Sequence, residues 1–166
     1  MLTALRFVKL LAVVVWLGGI VFFAFVLAPV AFTRLPSTHL AGMVVGGTLS
    51  ILHLAGLVCG LLFIAATLGA HAVAQYRKPR IVAELVLVMA MLCITAYSQF
   101  VLIPRMERDR SSVAAISGDD IDSAAPSDPS RMDFERLHGL SEKLEGVALL
   151  AGIGLVWLLA RKQEAV

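Results

Sequence analysis

The chain has 166 residues, 59% of them hydrophobic and 16% charged, with a net charge of +2. Soluble domains carry roughly 45–50% apolar and about 25% charged residues, and one domain of this length cannot bury such a surplus in a water-soluble core. The excess apolar surface is therefore expected to face a lipid bilayer, and the small charge gives no ground for a nucleic-acid partner.

Only a helix or a closed barrel satisfies every backbone group in lipid, and about 20 apolar residues in helix cross the hydrocarbon. The first such stretch covers residues 10–32, behind Arg6 and Lys9. Basic residues before an apolar run resemble a secretory signal, but this run is longer than the 7–15 apolar residues of one, so an uncleaved span is expected. The second, residues 43–74, exceeds the bilayer and implies tilt or projection. The third covers residues 81–103, with Pro79 at its entry and Pro104 at its end. The fourth must begin near Leu140 and run over 140–160, carrying Ser141, Glu142, Lys143 and Glu145 with it.

Residues 107–130, rich in Ser, Asp, Pro and Gly and including Gly118-Asp119-Asp120, read as a mobile loop. A helix is expected from Arg131, with Asp128 or Ser130 as N-cap. The expected fold is thus all-α: one domain, 1–166, an integral membrane four-helix bundle with a long extracytoplasmic loop between helices 3 and 4.

Orientation follows from basic residues in short flanking segments. Arg6, Lys9, Arg77, Lys78, Arg80, Arg161 and Lys162 share one face, while the basic residues of the other face are mixed with acids in the long loop. Both termini are expected in the cytoplasm, in a bacterial inner membrane. Trp157 fits the interfacial belt and Trp16 lies deeper.

Ionisable residues inside spans mark a functional site or a polar interior. At about 100° per residue, His138, Glu142 and Glu145 fall within about 60° of one another, with Ser141 beside them. His53 sits in a stripe of small or polar residues, Gly46, Ser50, Gly56 and Gly60, that suits helix packing. Both histidines belong to the outer half of the expected topology, where Thr95, Ser98, Gln99 and Arg105 of the third span also end. The competing accounts are structural: His53 bonded to a backbone carbonyl, Glu142 and Glu145 paired with nearby cations at headgroup level, and Glu84 paired with Arg80 at i, i+4. Gly18-Gly19 and Gly56-x-x-x-Gly60 read as packing surfaces. Cys59 and Cys93 lie in apolar runs without metal-ligand spacing and read as small core residues. No nucleophile elbow, phosphate loop, HExxH or dinucleotide fingerprint occurs, so enzymatic activity is not expected.

Trp16-Leu17-Gly18-Gly19, Phe22-Phe23-Ala24-Phe25, Ala28-Pro29, Phe32 with Leu35-Pro36, Pro104-Arg105 and above all Arg136-Leu137-His138-Gly139-Leu140-Ser141 resemble the transmembrane protein 205-like family, a four-span domain of unknown function. The resemblance is distantly similar also to copper-resistance D-type proteins and a membrane protoporphyrinogen oxidase family, whose histidines serve metal or haem. Those relatives place histidines early in the first span, and this chain has none there. The leading expectation is a metal ion, haem or small ligand bound by His53 and His138, with Ser141, Glu142, Glu145 and Arg105 assisting; imidazole suits Cu, Zn or Fe. The alternative is a cofactor-free assembly protein docking a membrane partner or a second copy through its polar helix face.

Overall fold

The computed structural model describes residues 1–74, 78–117 and 121–161; Arg77, Lys162 and Gly118-Asp119-Asp120 lie outside them. Among the described residues there is no strand. Four helical rods are long and apolar enough to cross a membrane: Leu2–Arg34, Thr38–Val73, Arg80–Ala114 and Pro129–Ala160. The chain is an all-α, multi-pass membrane four-helix bundle, and its exterior carries Phe7, Phe25, Ile51, Leu61 and Leu150, each more than 60% exposed. Around rods of membrane-crossing length, such a surface suits lipid.

Each rod is longer than its apolar stretch. The first consists of α1 (Leu2–Phe22), a π segment (Phe23–Leu27) and α2 (Ala28–Arg34). The second is α3 (Thr38–Ala74). The third joins α4 (Lys78–Tyr97), a second π segment (Ser98–Leu102) and α5 (Ile103–Ser117), and the fourth is α6 (Pro129–Ala160).

Both π segments end two residues before a proline. Proline lacks an N–H and its ring crowds the carbonyl four residues back; shifting to i→i−5 bonding widens the turn and relieves that clash. Ala28 N–H accordingly bonds Phe23 O ahead of Pro29, and Ile103 N–H bonds Ser98 O ahead of Pro104. Pro104, expected to end the third span, instead sits inside a continuous rod. The helix then proceeds to Ser117 through the stretch expected as a loop from Glu107. The polar residues there match a helix outside the hydrocarbon, for which composition gives no apolar stripe to detect.

Asp128 caps α6 as expected, accepting from Ser130 N at 2.8 Å and Arg131 N at 3.3 Å, with Pro129 in the first turn. Arg131 donates to the carbonyls of Asp122 (3.0 Å) and Ala124 (2.6 Å), and Ile121 is buried, so the described part of this connection is packed onto the bundle.

The rods form an antiparallel ring in the order first, second, third, fourth. Its axis is Trp16, 4% exposed, whose indole lies over Gly56 and Gly60 of α3. A Cβ at Gly60 would come within 2.5 Å of Leu92 and 2.8 Å of the Trp16 ring. The glycine pair is therefore a packing surface, as its spacing suggests. Phe63, Val88, Met91 and Leu155 complete the core.

The end where α1 begins and α6 finishes, the terminal end, is closed by buried charge. Lys9 Nζ meets Glu84 Oε2 at 2.5 Å, with side chains 8% and 3% exposed. Arg80 donates to Glu84 Oε1 (3.1 Å), the expected i, i+4 pair, and to Leu158 O (2.7 Å) and Arg161 O (3.2 Å). Lys9 also lies 4.9 Å from the Phe63 ring centroid. One cluster thus touches all four rods. Lys9 and Arg80 work inside the bundle as well as contributing to the basic count of this face. Glu84→Ala is expected to cost about 3–5 kcal/mol by leaving Lys9 buried without its partner. The double change Lys9→Met/Glu84→Leu removes both charges and is expected to cost much less; helical circular dichroism during SDS titration of the micellar protein checks both, and equal losses would contradict the pairing account.

Candidate functional site

At the opposite end, the loop end, the rods part around a cavity of about 700 Å³. Its apolar wall includes Phe23 and Phe32 of the first rod, Leu49 of α3, Ile103 of α5 and Leu149 of α6. The first π segment contributes Phe23, Ala24 and Phe25 to the lining, and Ile103, which follows the second, joins them.

Much of the polar wall is one face of α6. His138, Ser141, Glu142 and Glu145 all line the cavity, as the helical spacing places them. Ser141 is 4% exposed. Glu145 accepts from, or donates to, His53 across the bundle: His53 Nε2 lies 2.7 Å from Glu145 Oε1, with side chains 3% and 17% exposed. His53 backs the cavity through this contact without lining it, and its other ring nitrogen, Nδ1, is buried with no hydrogen-bond partner.

His53 and His138 do not share a contact. His138 precedes Glu145 by seven residues, which is about 10 Å of helix rise toward the loop end. There it lies 3.4 Å from Glu142 Oε1, both half or more exposed, and stacks on Phe134 with ring centroids 6.0 Å apart and planes 3° apart. Arg105 is not in the cavity wall; it reaches Asp133 Oδ2 at 3.5 Å, an exposed pair. Among the described residues, no group of three or more His, Cys, Asp or Glu side chains is placed to hold a metal ion.

The remaining polar residues of the third span form a supporting layer. Gln99 donates to Ser50 Oγ at 2.9 Å, tying the second π segment to α3 one turn from His53. Ser98 and Thr95 are buried, and Ser98 Oγ has no hydrogen-bond partner. Gly46, on the same stripe, opens to the cavity, where a Cβ would meet nothing within 4 Å.

Arg110 was not distinguishable from the loop charges around it. It lines the cavity from α5, lies 5.1 Å from the Phe134 ring centroid and 3.7 Å from Glu107, and approaches Gly42 of α3. His39 of α3 also lines the wall. The only usable signal was periodic: Met106 and Arg110 stand four apart after Pro104, a spacing that matters once the helix is known to continue.

His53→Ala is expected to destabilise the fold by about 1–3 kcal/mol, because Glu145 loses its buried partner. Arg105→Ala is expected to cost about 0–1 kcal/mol, as for an exposed ion pair. The same SDS titration measures both, and an Arg105 effect as large as that of His53 would contradict this ranking.

A family model described as a domain of unknown function, DUF4149, matches residues 11–111, from α1 through most of α5. No curated protein matches the chain. No solved structure matches it.

Proposed function

This chain belongs to the domain of unknown function family DUF4149, and from that premise we propose that it binds a small amphipathic molecule in the loop-end cavity. The observation that carries the reading is the cavity itself: about 700 Å³, aromatic and aliphatic on one side, with Ser141, Glu142 and Glu145 on the other. Ligand sites are concave, mostly apolar and fitted with few polar groups, with volumes of about 300–1,000 Å³. The Glu145–His53 contact supports it further, since a carboxylate placed deep in a span and oriented by a buried imidazole is a costly feature.

The cavity belongs to the outer half of a bacterial inner-membrane protein whose termini are cytoplasmic. The likeness to the transmembrane protein 205-like family rests chiefly on Arg136–Ser141, beyond the matched segment; the ligand role of His138 and Ser141 rests on their place in the cavity wall. A metal ion or haem is the other class of occupant, with His53 and His138 as nitrogen donors. His53 of α3 meets α6 at Glu145, seven residues beyond His138, and this separation of the two imidazoles along the bundle favours the organic occupant.

A second reading has its own support. His138 and Glu142 are 50% and 70% exposed, so the start of α6 offers a polar face on which a partner's helix would dock.

Native mass spectrometry of protein purified in mild detergent is expected to show a bound organic mass that is absent from Gly46→Trp, which fills the cavity. Elemental analysis and an absorbance spectrum, run beside His53→Ala and His138→Ala, identify the rival occupants: stoichiometric metal or a haem band lost in both variants would transfer the site to that class. Nothing bound in wild type grown with added metals and haem precursor would favour docking, under which His138→Ala weakens recovery of a co-purifying protein.

A further inference from the structure

The charge of the cavity wall specifies its ligand more narrowly. Among the described residues, five carboxylates line it, Glu107, Asp122, Glu135, Glu142 and Glu145, against one guanidinium, Arg110, and no lysine. Arg110 is already faced by Glu107 and by the Phe134 ring. Glu135 is answered by Arg131 at 2.9 Å.

Glu142 faces His138 at 3.4 Å in an exposed pair, whereas Glu145 is largely buried and so is the imidazole it meets. His53 is 2% exposed, and its Nε2 lies 2.7 Å from Glu145 Oε1. That contact fixes the orientation of the Glu145 carboxyl group at the cavity floor, where water has little access. Phe23 and Phe32 present aromatic surface to the same space, which favours a cation and disfavours an anion.

Resting on the ligand-binding reading above, we propose that the cavity takes a lipophilic organic cation, its charge held at Glu145 and its apolar body against the aromatic wall. His53 acts as a positioning residue for Glu145. The site discriminates by charge at the floor and by shape above it.

Tetraphenylphosphonium and tetraphenylborate share a shape and differ in the sign of their charge, so they separate this proposal from the reading beneath it. Equilibrium dialysis of the full chain in dodecyl maltoside micelles, with empty micelles subtracted, is expected to show the cation bound at least tenfold more tightly than the anion. Glu145→Gln, which keeps a hydrogen-bonding group opposite His53, is expected to weaken the cation tenfold or more, and Gly46→Trp to abolish both. An anion bound as well as the cation, or cation affinity unchanged in a folded Glu145→Gln, would overturn the charge assignment while the cavity reading stands if Gly46→Trp blocks binding. Binding of neither probe, or binding unaffected by Gly46→Trp, would overturn the cavity reading and this proposal with it. Tryptophan-fluorescence melting reports whether Glu145→Gln folds; if it does not, the cation-to-anion ratio of the wild type decides.

Discussion

The bundle depends on the contact between Lys9 and Glu84. Removing one partner of a buried ion pair costs about 3–5 kcal/mol, so each residue is tolerable in the interior only where the other meets it. Their meeting at 2.5 Å brings α1 against α4 across the ring. Arg80 extends the constraint to the last carbonyls of α6, and the Phe63 ring carries it to α3. With the terminal end locked in this way and Trp16 seated over Gly56 and Gly60, the rods are free to diverge only at the other end. That divergence is the cavity.

The two buried contacts are opposite in design. Lys9, Glu84 and Arg80 bring full charges of both signs together and add carbonyl acceptors, so the cluster is satisfied within the fold. His53 and Glu145 pair a ring that lacks a second partner with a carboxylate open to a cavity. Such incompletely satisfied groups in an otherwise well-packed interior are where local rules yield to function.

Much of this was legible from the residues alone. Apolar run length located the four rods, the i, i+4 spacing of Arg80 and Glu84 found their pair, and the 3.6-residue period put His138, Ser141, Glu142 and Glu145 on one face. Lys9 was not legible as an interior residue: next to Arg6 and before an apolar run it has the pattern of an interfacial anchor, and only the distant Glu84 distinguishes it. Arg110 was hidden by composition, since a polar helix beyond the membrane and a solvated loop use the same residues. The partner of His53 depends on how far α3 and α6 slide past one another, a register that neither helix encodes by itself.

The paired π segments bear on how this family can change. A π turn is an α-helix carrying one extra residue, so deleting a single position within Phe23–Leu27 would restore an ordinary turn. Because the extra residue is absorbed within the turn, the side chains beyond it, Phe32 among them, would keep the faces they now present. What would be lost is the room the wide turn gives to the proline that follows, since an α turn there returns the ring of Pro29 against the carbonyl four residues back. The same holds for Ser98–Leu102 and Pro104. Shortening either stretch, though of no consequence to hydropathy or membrane insertion, would therefore be tolerated only together with replacement of its proline, which binds the two positions into one evolutionary unit.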